Sequence, residues 1–154
     1  MTIDMTKPLD VYVVNELNAY LADTAVLYIK LHNLHWNVIG KDFKPIHDYT
    51  ESLYEALATV LDDVAEIIKM HDLQPLASLH DYSAAATIQE LHSKPIPSND
   101  VLQLIQIDLK AMKGKAEAIR KAAADEDVYD VVSLMEDHLK EYNKQLWFIS
   151  SMLK

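Results

Sequence analysis

Residues 44–70 read KPIHDYTESLYEALATVLDDVAEIIKM, and apolar side chains return in that run at Leu53, Leu57, Val60, Leu61, Val64 and Ile68. Spacings of three and four are the period of an amphipathic α-helix, sustained here for about seven turns. Pro45 suits a first turn, where a missing N–H has no partner to lose, and the helix is expected to end before Pro75. The same period marks three more segments. Residues 9–37 carry Val13, Leu17, Tyr20, Leu21, Thr24, Ala25, Tyr28 and Leu31, with Gly40 expected to stop the helix. A third helix is expected after Pro95 and Pro97, capped by Ser98, Asn99 or Asp100, through Leu102, Ile105, Leu109, Met112, Ala116 and Ile119. After an acidic turn over residues 122–127, a fourth is expected from 128 to 152 through Val131, Leu134, Met135, Leu139, Tyr142, Leu146 and Ile149.

Three of the five prolines fall in the long connection 71–97, within which Thr87 and Glu90 have capping-box spacing and are expected to open one or two helical turns. Short links make each flanking pair of helices antiparallel, whereas the long one can travel the length of a bundle. The expected fold class is therefore all-α: a ferritin-like four-helix bundle with a crossover containing a short helix between helices two and three. With 154 residues, 50% apolar, one core suffices; the expected division is a short tail over 1–8 and one bundle domain over 9–154.

Asp plus Glu number 24 against 14 Lys plus Arg, a formal net charge of -10, which repels a polyanion and attracts cations. The chain has no Cys, so disulfide frameworks and thiolate zinc sites are excluded. The first eight residues have neither a basic nor an apolar leader pattern, and no run approaches a membrane span, so a cytoplasmic location is expected.

Chemistry concentrates in His35, His47, Glu51, Asp62 and Glu66. His47 and Glu51 are four apart, as are Asp62 and Glu66, and the eleven residues between Glu51 and Asp62 make nearly three whole turns. All four thus share one stripe of the second helix. They cannot form one site within one chain, because about 16 Å of helix separates Glu51 from Asp62, whereas a metal is held at about 2 Å. The pairs 47/66 and 51/62 share a midpoint near Ala56 and Leu57. A two-fold axis there would set residues 47 and 51 of one subunit opposite 66 and 62 of the other, with the small Ala58 allowing close approach. Imidazole and carboxylate without thiolate suit iron, manganese or zinc. No Glu is followed by His three residues later, so the motif of intrachain di-iron bundles is missing, which favours a site shared between chains.

At these residues the sequence closely resembles the Dps family of mini-ferritins. The matching runs are His35-Trp-Asn-Val-Ile-Gly40, then Phe43-Lys-Pro-Ile-His47 with Glu51, then Asp62-Asp-Val-Ala-Glu66, and the likeness continues from Pro75 to Tyr82 and over Leu146 to Ile149. The resemblance implies a hollow dodecamer that oxidises Fe(II), preferentially with hydrogen peroxide, at ferroxidase sites between two-fold-related subunits, and stores the ferric product inside. It implies His35, Asp62 and Glu66 as main iron ligands, with His47 and Glu51 completing a weaker second position; zinc or manganese are possible substitutes. Glu51 stands where many members have Asp, and Ile67 where Arg is frequent. DNA-binding members commonly use a Lys-rich tail; here Lys7 is alone beside Asp4, so DNA is not an expected partner. A nucleoid-protecting protein with a secondary iron site is the rival reading, and a structural zinc assembly a third.

Trp36 has two readings, interception of oxidising equivalents, as the resemblance implies, or packing between helices; Trp147 is expected in the core or an interface, and His32, one turn before His35, is a candidate neighbour of the site rather than an expected one. His71, His80, His92 and His138 are expected at the surface. Asp125, Glu126, Asp127 and Asp130 either complement the start of the fourth helix or line a cation pore on a three-fold axis.

Overall fold

The computed structural model describes residues 9–154; the tail expected over 1–8 lies outside them. Four long helices form an all-α bundle: α1 Val11–Asn37, α2 Phe43–Met70, α4 Ser98–Asp125 and α5 Tyr129–Leu153, with a short α3 Leu79–Ala85 in the crossover. The core is assembled from the expected apolar faces: Leu17, Leu21 and Leu31 of α1, Ile68 of α2, Ile105, Met112 and Ile119 of α4, and Met135 and Ile149 of α5 are fully buried. Every residue of α1 from Tyr20 to Leu27 is buried. The reason is that α2, α4 and the crossover cover this helix from three sides, so it needs an apolar surface nearly all round.

Four local expectations are corrected. The crossover helix is α3, not a helix opened at Thr87: the Ser78 hydroxyl caps it by accepting from Asp81 N at 3.1 Å, while the N–H groups of Thr87 and Ile88 are taken by the Asp23 carboxylate at 2.6 and 2.8 Å. No side chain of Ser98, Asn99 or Asp100 caps α4; Pro97 is its N-cap, because Ile96–Pro97 (β2) extends to pair in parallel with Val38–Ile39 (β1). That pairing, not Gly40, stops α1, since its C-cap Val38 is already extended. Gly40 instead turns the chain toward α2 with φ +116°, a conformation that side-chain-bearing residues rarely adopt. Finally, the acidic turn is shorter than expected, because α4 continues to Asp125.

The crossover is fastened along one side of α1 by polar side chains. Asn18 accepts from Leu76 N at 2.9 Å and donates to Gln74 O. Asp23, fully buried, also takes the Thr87 hydroxyl and Lys115 Nζ. Asn33 donates to the carbonyls of Leu91 and His92. A second buried ion pair, Lys30 Nζ to Asp108 Oδ2 at 2.6 Å, lies seven residues along each helix from Asp23 and Lys115 with the charges exchanged. These pairs set the register of α1 against α4.

Candidate metal centre

The five-residue link between α1 and α2 reverses the chain so tightly that the last turn of one helix faces the first turns of the next. His35 and His47 stack there, ring centroids 3.7 Å apart and planes 15° from parallel. Each ring is tied to the other's backbone: His35 Nδ1 to His47 O at 2.6 Å, and His47 Nδ1 to His35 O at 2.8 Å. A carbonyl can only accept, so both Nδ1 atoms donate, and neither bond uses Nε2. Thr50 Oγ1 lies 3.1 Å from His35 Nδ1 and donates to the carbonyls of Ile46 and His47. Such bonds fix the orientation of both rings. His35 is buried and His47 half-buried, so the pair sits at the edge of the bundle.

Farther along α2, carboxylate oxygens of Asp62, Asp63 and Glu66 lie within 4.8 Å of one another. Asp62 and Glu66 are exposed in the single chain, as are Glu51, Ala56 and Ala58, while Leu53, Leu57 and Val64 on the opposite side are buried. The polar stripe is therefore separate from the core. Glu51 accepts a long hydrogen bond, 3.3 Å, from Tyr54. Because α2 is one uninterrupted helix from Phe43 to Met70, the structure brings His35 to His47 and Asp62 to Glu66, but leaves about 16 Å of helix between the two groups within a chain.

Around the histidines runs a cluster of rings. Tyr54 stacks on His32 with centroids 3.8 Å apart and meets His35 edge-on at 5.3 Å; Trp36 reaches His32 at 5.4 Å. His32 thus lies in the ring cluster beside His35. Trp36 and Trp147 are 68% and 65% exposed, so neither packs inside the chain: the core alternative for Trp147 and the helix-packing reading of Trp36 fail within one protomer.

Sequence reasoning missed Thr50, Tyr54 and Asp63. Thr50 and Tyr54 follow His47 and Glu51 by three residues, the spacing that puts side chains on adjoining parts of one helix face.

His138 is corrected from surface to core. It is buried, its Nδ1 lies 3.0 Å from Tyr20 Oη, and Tyr20 in turn bonds to Tyr142. Positions 131, 135, 138 and 142 follow the core spacing of α5, but that spacing does not name the tyrosine that makes a buried histidine acceptable. Burial holds the His138 imidazole below the ordinary histidine range against the upward pull of Asp63 and Asp137, and it pushes the Tyr20 and Tyr142 hydroxyls up. His71 is not free: its Nε2 lies 2.8 Å from Asp130 Oδ2. His80 and His92 are exposed, as expected. In the acidic cluster Asp125 ends α4, Asp127 has φ 56°, and only Asp130 lies in the first turn of α5, whose N-cap Val128 provides no side-chain bond.

A model of the ferritin-like domain matches residues 14–154. Among relatives, the chain is 32% identical over 132 residues to a "DNA protection during starvation protein" of Helicobacter pylori, covering 86% of this chain and 92% of that one. It is 30% identical over 141 residues to "DNA protection during starvation protein 2" of Bacillus anthracis, covering 92% and 96%. Among solved structures, the Dps protein of Vibrio cholerae O1, described as a member of a broad superfamily of ferritin-like diiron-carboxylate proteins, superposes with a TM-score of 0.89 at 29% identity, covering 93% of this chain and 89% of that one. With the helix order, the crossover and the chain length all shared, this chain belongs to the Dps branch of the ferritin-like family.

Proposed function

We propose that the protein is an iron-oxidising, iron-storing mini-ferritin that protects against oxidative damage. Its substrate is Fe(II), its preferred oxidant is hydrogen peroxide, and its sites are His35, His47 and Glu51 of one subunit with Asp62 and Glu66 of a two-fold mate. The observation that supports this most is the reciprocal histidine bonding, which leaves two Nε2 donors free on rings 3.7 Å apart. Two Fe(II) held side by side can each give one electron to a peroxide, which becomes water by taking up two protons. Carboxylates then favour the more highly charged Fe(III). Exposure of Asp62, Glu66 and Glu51 in the single chain, on a stripe with small Ala56 and Ala58, supports a partner helix lying across them.

The same reading takes the assembly to be a dodecamer in the cytoplasm, with ferric product in its interior. No helix among the described residues is long and apolar enough to cross a membrane. A second reading, DNA protection with a secondary iron site, is favoured by the names of the relatives. It is opposed by the net charge of -10.

The test is to mix metal-free protein with Fe(II) and peroxide without air, recording ferric absorbance and particle mass. Rapid absorbance growth on an intact shell is expected. Protein that leaves Fe(II) oxidising at the rate of buffer contradicts the proposal.

A further inference from the structure

The last turn of α1 carries His35 on one side and touches the returning crossover on another. The residue at that second contact is Asn33. Its Oδ1 accepts from Asn37 Nδ2 at 2.7 Å, and its Nδ2 donates to the carbonyls of Leu91 at 3.2 Å and His92 at 3.4 Å. Asn37 is the last residue of α1, and the next two residues, Val38 and Ile39, pair with Ile96 and Pro97, just beyond His92. The final turn of α1 is thus held by the crossover through one amide and a two-residue ladder. The backbone carbonyl of His35 belongs to this turn and receives the His47 ring. Moving the turn therefore displaces both ends of the histidine pairing.

We propose that Asn33 is a positioning residue of the metal centre: by joining the end of α1 to the crossover it sets where the His35 and His47 Nε2 atoms stand. This rests on the reading of those histidines as ligands. Asn18 provides an internal comparison, because it fastens the crossover by the same chemistry, donating to Gln74 O and accepting from Leu76 N. It lies seventeen residues before His35, about 25 Å away along the helix. If these asparagines only stabilise the fold, the two should behave alike. If Asn33 positions the site, they should differ at the metal and not in stability.

The experiment uses the assembled protein as wild type, Asn33→Ala and Asn18→Ala, titrated calorimetrically with Zn(II), which does not change oxidation state. Amide hydrogen exchange and thermal melting are measured on the same samples. Changes to groups that orient metal ligands typically weaken binding 10–100-fold, and a residue acting through backbone should fall at the low end, about tenfold for Asn33→Ala. Asn18→Ala should bind as wild type while melting at a similarly lowered temperature. Amides of residues 34–38 should lose protection in Asn33→Ala alone. Equal zinc affinity in Asn33→Ala and wild type, or equal weakening in both variants, overturns the proposal. If wild type itself takes up no zinc, the ligand reading fails, and exchange at residues 34–38 then decides: unchanged protection there overturns the role of Asn33.

Discussion

Replacing Asp23 with Ala removes a carboxylate that ties α1, α4 and the crossover together. Asp23 is fully buried and receives Thr87 N at 2.6 Å, Ile88 N at 2.8 Å, the Thr87 hydroxyl at 3.0 Å and Lys115 Nζ. These partners do not all suffer equally. Thr87 is exposed and can turn its donors to water, and the Lys115 side chain, 23% exposed, can swing outward. Ile88 is buried, so its N–H is left without an acceptor, a loss of about 1–3 kcal/mol. Breaking a buried ion pair costs about 3–5 kcal/mol when the remaining charge is trapped, and the freedom of Lys115 places this pair at the lower end. Together these give a destabilisation of about 4–6 kcal/mol, shared between the crossover and the α1–α4 contact. Asn at this position keeps one acceptor oxygen and loses only the charge, so it should cost less. The assay is guanidinium denaturation at one fixed protein concentration, with hydrogen exchange reporting where protection is lost; residues 79–92 should open first. Stability of Asp23→Ala within about 0.5 kcal/mol of wild type, the scatter of an ordinary surface change, would refute the reasoning.

Two other outcomes follow from the same geometry. Asp62→Ala combined with Glu66→Ala should slow Fe(II) oxidation at least about tenfold while leaving the circular dichroism of the helices unchanged, because both side chains lie off the core; wild-type rates in the double variant would remove these residues from the site. His138 should make stability depend on pH. Its folded-state affinity for protons is lowered by burial, so the unfolded chain takes up a proton first as pH falls, and the stabilisation is complete above about pH 6.5 and declines below it. The stability difference between wild type and His138→Gln should therefore shrink from pH 7 to pH 5, and a gap that stays constant would contradict this.

The helices were legible because their signal is periodic and long. Twenty or more residues of α1, α2, α4 and α5 each repeat the same spacing, and bundle packing rewards that spacing without reference to any other part of the chain. The candidate stripe was legible for the same reason: positions 47, 51, 62 and 66 follow the helix period. What stayed hidden depends on partners distant in sequence. Thr87 has the local pattern of a helix start, but a carboxylate sixty-four positions away, Asp23, takes its N–H. Ser98 is a good cap by type, yet Pro97 is committed to the pairing with Ile39. His138 fits the α5 core spacing, but accepting a buried histidine requires knowing that Tyr20 stands opposite to bond it. Polar residues in a core are specified by their partners, and a single helix's period does not name them.

The central proposal is that each iron site is built from two chains, and subunit mixing tests it most directly. One variant lacks His35 and His47, the other Asp62 and Glu66, each inactive alone; the two are dissociated together and reassembled. If the site spans a two-fold contact, a mixed dimer holds one site with every defect and one with none. Half the dimers of a random mixture are mixed, so about a quarter of wild-type oxidation capacity should return. Continued absence of oxidation, with mixed assembly established by mass, would place the site within one chain and contradict the proposal.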